Sequence, residues 1–407
     1  MRNLLRRYIK KLICLFLFMP GLALKAQELQ PGVVHTMQCA ADSSNQYSFY
    51  LPKNYNAQQK YPFLLFLDPG ARGNLPVEKY KVVADELGLI LAGSFTSKNF
   101  DAASSINSIP GITKDVMQRA SIDGSKKWLA GFSGGSRMAS SYAATYEGIT
   151  GVIGCGAGFA GPEFLTGHQN IPYAGIAGIK DMNLEEMVTV KEQLTNRNKN
   201  NLLLFFDGGH EWPPVIQLKL AAAWLQKAEA VTPLPNETPE LLLQLNQYRE
   251  AGLDYYAWLA ATEFKKIPAL IAVADSAARQ AETVKNFKKH KELFETVLEE
   301  ERNFMDQVSF LYEQTINAGQ GMTANEDTWK QKAAAIAALK KNKNAYKQLS
   351  GERLFDFCWR LCGEQYFWLQ DSKRYREAYR TAYILSFFND TRRNPEYMMA
   401  KAAAGLA

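Results

Sequence analysis

Three short stretches of this chain hold residue types that could do nucleophilic and acid–base chemistry together: Gly131-Phe132-Ser133-Gly134-Gly135, Gly178-Ile179-Lys180-Asp181 and Gly208-Gly209-His210. A serine hydroxyl barely ionises near neutrality, so it attacks a carbonyl only if an imidazole takes its proton as the new bond forms. In that scheme Ser133 is the nucleophile, His210 the base, and Asp181 the group that orients the ring and stabilises the imidazolium. Glu185 and Glu186 stand near enough in sequence to substitute for Asp181. Each residue also has a plain structural reading: Ser133 as a capping serine in a glycine-bearing turn, Asp181 as a helix cap, His210 as a surface loop residue. Of the four histidines, His35 precedes the sheet, His168 falls in a polar loop and His290 in a lysine-rich helix. His210 alone follows the last strand-like run.

The elements around these residues decide between the readings. Lys126 to Ala130 (KKWLA) is a short, largely apolar run of the kind a buried parallel strand uses, and SRMASSYAATY after it reads as a helix. Strand, sharp turn and helix form an elbow, where flanking glycines let strand and helix pass close together. Further apolar runs are expected as strands at 61–67, 89–93, 127–131, 151–156, 173–178 and 201–206, with an edge strand from Gln46. Helical stretches are expected at 77–87, 112–120 and 184–195. Such alternation predicts an α/β fold, a mostly parallel sheet with helices on both faces and its reactive groups at the carboxyl ends of the strands.

The chain order Ser133, Asp181, His210 is that of the α/β-hydrolase superfamily. Together with YLPKNY…YPFLLFLD, GFSGGSRMA and GGHEWP, it makes residues of about 32 to 228 resemble that superfamily, and within it secreted esterases of the feruloyl-esterase and polyhydroxybutyrate-depolymerase type. The resemblance implies cleavage of a carboxylic ester, small or polymer-linked, through an acyl-enzyme, with no metal and no cofactor. A peptidase or an acyltransferase would use the same triad. A third possibility is an interaction protein that has lost activity. One departure stands out: the loop after the third strand reads Asp68-Pro69-Gly70-Ala71-Arg72-Gly73, and Pro69 has no amide hydrogen. The oxyanion donors are therefore expected to be the Gly134 amide with that of Gly70 or Ala71. Arg72 and Trp212 are candidate substrate contacts, with a solvated loop arginine as the other reading of Arg72.

Composition bounds the rest. Residues 1–26 have a basic front, an apolar run from Leu12 to Phe18 and small residues before Ala26, the pattern of a secretory signal peptide. This predicts a secreted or periplasmic protein with no stable membrane span after cleavage. Those residues also carry six of the 47 basic side chains and no acidic one. The remaining 41 balance 41 acidic residues, so the formal charge of +6 belongs to the targeting segment and lends no support to nucleic-acid binding. Cys39, Cys155, Cys358 and Cys362 lack zinc-site spacing and read as packed thiols, although Cys358 and Cys362 would share a helix face. Composition shifts at 231–240 (VTPLPNETPE), the expected linker between a hydrolase domain at 27–230 and an α-helical domain at 241–407. The end of the latter resembles a degenerate tetratricopeptide repeat. Tyr375, Ala378 and Ala382 would pack its first helix, and Tyr397, Ala400 and Gly405 its second; a protein partner on this region is the further possibility.

Overall fold

The computed structural model describes residues 29–166, 170–226, 238–317, 325–388 and 394–406. The expected signal peptide, His168 and most of the expected linker lie outside them. Eight strands form one sheet: β1 (Val34–Cys39), β2 (Asp42–Tyr50), β3 (Tyr61–Leu67), β4 (Ile90–Ser94), β5 (Ile122–Phe132), β6 (Gly151–Cys155), β7 (Tyr173–Gly178) and β8 (Asn201–Phe206). Their order is β1-β2-β4-β3-β5-β6-β7-β8. β1 pairs antiparallel with β2, and β2 antiparallel with β4; all other pairs are parallel. This is the α/β-hydrolase arrangement.

The strands read as unbroken apolar runs because both faces of the sheet are covered. Side chains alternate between the faces with period two. Leu64 and Phe66 of β3 join the core under α1 (Asn74–Leu87) and α6 (Val215–Leu225), while Phe63, Leu65 and Leu67 join the core under α2 (Ala102–Arg119) and α3 (Gly134–Thr145). A short α4 (Glu163–Thr166) and α5 (Leu184–Asn196) complete this half. Helix α2 starts ten residues earlier than its expected position. Asp101 caps it through the Ser104 amide, and the helix runs on through Pro110.

Beyond residue 237 the described residues are helical: α7 (Thr238–Glu250), α8 (Asp254–Phe264), α9 (Ile271–Glu282), α10 (Phe287–Ile316), α11 (Glu326–Lys340), α12 (Ala345–Asp371), α13 (Tyr375–Ser386) and α14 (Pro395–Ala404). The first of these share a core with the sheet. Leu241, Leu245, Tyr248, Tyr256, Leu259 and Phe294 belong to the same buried cluster as Phe66 and Phe205. They also finish the outer edge of β8, whose outward polar groups would otherwise lack partners. The Leu203 amide donates to Glu263 Oε2 (2.8 Å), Gln244 Nε2 donates to the Phe205 carbonyl (2.7 Å), and Lys266 Nζ to that of Asn201 (3.0 Å). A separate core forms from Val308 onward, and the long helices α10 and α12 run from the first cluster into the second.

In the terminal helix pair, Ala378 and Ala382 are buried as expected, and Gly405 lies against the Tyr375 ring. Tyr397 and Ala400 instead face solvent. Asn394 caps α14 with Pro395 in its first turn, and that start sets the phase so that Pro395, Met398 and Ala402 turn inward. Cys39, Cys155, Cys358 and Cys362 are buried free thiols, and burial pushes all four above the ordinary thiol range. No described helix is long and apolar enough to cross a membrane.

Candidate active site

Each chemically capable residue sits on a loop at the carboxyl end of a parallel strand. Ser133 follows β5 directly with φ 53° and ψ −121°, a backbone conformation rarely adopted by a non-glycine residue. Its amide is held by the Cys155 carbonyl at 2.9 Å. The close passage of strand and helix explains the flanking glycines: a Cβ on Gly131 would lie 2.1 Å from the Gly135 oxygen, and one on Gly135 1.9 Å from the Leu67 oxygen. Ser133 heads α3 but makes no side-chain capping bond. Its Oγ faces His210 Nε2 at 2.9 Å instead.

His210 Nδ1 lies 2.9 Å from Asp181 Oδ1 and 3.1 Å from Oδ2, with both side chains buried. An ionised carboxylate can only accept, so Nδ1 carries the ring proton and Nε2 is left as an acceptor for the serine hydroxyl. Asp181 is fixed in turn by the Asn183 amide (2.8 Å), while Asn183 Nδ2 donates to the Gly156 carbonyl (2.7 Å). Gly156 has φ 62° and lies close beneath the pair, where a Cβ would come within 2.9 Å of Asp181 Oδ2 and 3.2 Å of His210 Nδ1. The Phe132 ring packs on the imidazole, with centroids 4.7 Å apart. Sequence reading overlooked Asn183 and Gly156. An Asn two residues after the acid was their only trace.

Neither substitute acid reaches the histidine. Glu186 pairs with both terminal guanidinium nitrogens of Arg137 and accepts from the Gly158 amide. Burial disfavours the Arg137 charge, but the Glu186 carboxylate outweighs it and holds that guanidinium above its ordinary range. Glu185 binds Arg302 of α10 and Thr189.

Of the two expected substrate contacts, Trp212 is corrected by its burial, and Arg72 is found in an ion pair at the surface. Arg72 forms a two-bond ion pair with Asp68 (2.9 and 3.1 Å). Trp212 is buried among Phe66, Tyr80 and Phe132, and its indole N–H donates to the same Asp68 at 2.8 Å. Asp68 is thus a buried hub that holds both side chains and also accepts from the Gly70 amide at 2.8 Å, while the Arg72 side chain stays about half exposed.

That last bond corrects the expected oxyanion donors as well. The Gly70 amide is turned into Asp68, and the Ala71 amide is bonded to the carbonyls of Asp68 (3.1 Å) and Ser97 (2.8 Å). Gly134, in the first turn of α3, keeps its amide at a helix amino terminus, where partial positive charge gathers. The side chain resting on Gly134 is Asn99, whose Oδ1 would lie 1.9 Å from a Cβ placed there. Asn99 is anchored by its own amide on the Pro69 carbonyl (2.8 Å) and is followed by Phe100 at φ 64°. Its position in a polar loop after β4 offered no motif to find it by.

No protein-family model matches the sequence, and no curated protein matches it. Among solved structures, a ferulic acid esterase is 17% identical, covering 44% of this chain and 90% of its own with a TM-score of 0.37. The S-formylglutathione hydrolase of Staphylococcus aureus, as apoenzyme, is 13% identical and covers 47% of this chain and 95% of its own, with a TM-score of 0.39. A hyperthermophilic esterase from the archaeon Pyrobaculum calidifontis is 11% identical, with 48% and 86% covered and a TM-score of 0.39. These scores are below one half, so the reading of the site rests on its own geometry.

Proposed function

We propose that this protein is a serine hydrolase that cleaves carboxylic esters through an acyl-enzyme. The observation that carries the reading is the continuous relay from Ser133 Oγ through His210 to Asp181, with 2.9 Å at each step, set on a strained elbow. As Oγ attacks the ester carbonyl carbon, its proton passes to His210 Nε2, and the imidazolium is stabilised by the buried Asp181 carboxylate. The ester C–O bond then breaks and the same proton leaves with the alcohol. Water, deprotonated by His210, releases the acid and regenerates Ser133.

The charge on the tetrahedral oxygen falls beside Gly134. Its amide and the Asn99 carboxamide are the donors in this reading. Turning the carboxamide about its last torsion brings Nδ2 to the place of Oδ1. The chemistry calls on no metal or cofactor. The substrate class is an ester, free or attached to a polymer, met in the secreted or periplasmic space to which the amino-terminal segment points.

A fluorophosphonate probe tests the reading. Folded protein should form a covalent adduct on the Ser133 peptide and should turn over p-nitrophenyl acetate. Intact protein showing neither would overturn it.

A further inference from the structure

One helix of the carboxyl-terminal half reaches three of the loops that build the site. Arg353 of α12 is fully buried, and its Nη1 donates to the Ile179 carbonyl at 2.6 Å, two residues before Asp181. The same Nη1 reaches Tyr256 Oη of α8 at 3.3 Å, and the rest of the guanidinium is held by Glu301 of α10, with Nε to Oε2 at 2.9 Å. Arg360 lies seven residues on, about two turns and so on the same helix face. Its Nη2 donates to the carbonyl of His210 itself at 3.1 Å, while its Nε is braced by Asp356 at 2.7 Å. Two further turns along, Trp368 stacks on Phe100, the neighbour of Asn99, with centroids 6.3 Å apart.

Between α12 and the base loop lies a cavity of about 360 Å³ bordered by Lys180, His210, Glu211, Glu352, Phe355 and Arg360. The cleft opens to solvent beside the loop after β8. Within the sheet half, the Lys180 amide on the Gly208 carbonyl (2.9 Å) and the Lys180–Asp207 ion pair (2.7 Å) tie the acid loop to the base loop. Further along the base loop, Lys79 Nζ and Tyr80 Oη donate to the carbonyls of Trp212 (2.8 Å) and Pro213 (2.7 Å), and Arg360 adds the bond to the carbonyl of His210 itself.

We propose that Arg360 is a positioning residue for His210 and that α12, gripping the acid loop through Arg353 and the base loop through Arg360, makes the helical half a working part of the catalytic site. The inference rests on the ester-hydrolase reading above. A guanidinium aimed at a backbone carbonyl fixes that residue's backbone without touching substrate, so its loss moves the base and leaves the binding surface in place. Displacement of a catalytic group by about 1 Å is enough to cost on the order of 100-fold in rate.

The test uses the full chain and begins with fluorophosphonate labelling of the wild type. An unlabelled Ser133 would sink the hydrolase reading, and the positioning role with it, before any variant is made. With labelling established, kcat and KM for p-nitrophenyl acetate are measured for R360M and R360K, together with amide hydrogen exchange over residues 207–213. Arg360 is partly exposed, so R360M should fold; R360Q, too short to reach the carbonyl, is the second variant with the same expectation. We expect kcat to fall about 10- to 100-fold in R360M with KM within about threefold, substantial recovery in R360K, and faster exchange confined to the base loop. An R360M enzyme with kcat within twofold of wild type would overturn the proposal. So would an equal loss in R360K accompanied by faster exchange throughout α12, since that pattern marks a purely structural arginine.

Discussion

The sheet half and the helical half meet the same physical demand, burial of apolar surface and satisfaction of backbone polar groups, in opposite ways. In the sheet half each strand delivers its end residues to one edge, so position along the chain translates directly into position at the site. Ser133, Asp181 and His210 are each within four residues of a strand end. In the helical half, what matters is which helix face meets which loop, and the contacts are long-range: Arg353 to Ile179, Arg360 to His210, Glu263 to Leu203. A strand end announces itself in sequence; an arginine on a helix does not announce which carbonyl it will find.

Removing the helical half is the most severe way to break this comparison. A chain ending at residue 226 would expose Phe205 and its neighbours to water and leave the Leu203 amide and the Phe205 and Asn201 carbonyls on an open sheet edge. Burying one large apolar side chain is worth about 1.5–3 kcal/mol, so losing the contacts of Leu241, Leu245, Tyr248, Tyr256 and Leu259 rivals a typical domain's whole stability of about 5–15 kcal/mol. The fragment should aggregate or bind a hydrophobic dye. A soluble 29–226 fragment with a cooperative thermal transition would show instead that the sheet half stands alone and that the compositional shift at 231–240 is a true domain boundary.

Within the sheet half, the acid residue gives the next largest effect. Asp181→Asn should lower kcat by about 10⁴-fold with the fold intact, because the amide favours the wrong ring tautomer and offers the imidazolium no counter-charge. Glu185→Gln and Glu186→Gln should stay within about tenfold of wild type, since those carboxylates serve Arg302 and Arg137. Side-by-side turnover of a short-chain aryl ester decides. Collapse in either glutamine variant with near-normal Asp181→Asn would move the acid.

A smaller loss is expected at Asn99. Asn99→Ala should reduce kcat by about 100-fold and weaken a boronic-acid transition-state mimic in parallel, with KM little changed. Asn99→Asp is the sharper probe, because it keeps the shape and removes the donor. Turnover in both variants equal to wild type would return the oxyanion to Gly134 alone or to a rearranged Gly70.

How much of this could be read beforehand follows the same divide. The glycine-flanked serine, the G-x-x-D turn and the histidine after the last strand were legible because the chemistry demands those residue types and the parallel sheet demands that order. The oxyanion loop was misread. The Gly70 and Ala71 amides look available until Asp68 is seen to be a buried acceptor that takes Gly70, Arg72 and Trp212 at once. Helix α2 was half missed because AASSINSIPG carries the loop signals Ser, Asn, Pro and Gly, yet Ile109 and Ile112 pack on the sheet and hold the helix through Pro110. Tertiary burial overrode local propensity there. Nothing in the spacing of Arg353 and Arg360 distinguishes them from solvated helix arginines.

The mildest test separates catalytic from merely structural polar networks at the antiparallel edge, far from the triad in the sheet order. Asp115 of α2 accepts from Tyr47 Oη (2.5 Å), the Ala40 amide (3.0 Å) and Arg119 Nε (2.7 Å), joining β1 and β2 to the helix. Burial pulls its pKa upward, but the bonds from Arg119, Tyr47 and Ala40 outweigh that and hold the carboxyl below its ordinary range. A carboxyl with a lowered folded-state pKa adds stability above its unfolded value, about 3.9, and that stability is lost as pH falls through the folded value. Asp115→Asn should therefore cost about 1–2 kcal/mol at neutral pH, seen as a lower urea midpoint, and the difference from wild type should shrink toward pH 3. Because Asp115 touches none of the strand-end loops, kcat at neutral pH should be unchanged. An altered kcat with the midpoint preserved would show that the antiparallel edge communicates with the site. A midpoint difference that does not shrink in acid would show that the Asp115 carboxylate is not what holds β1 and β2 to the helix.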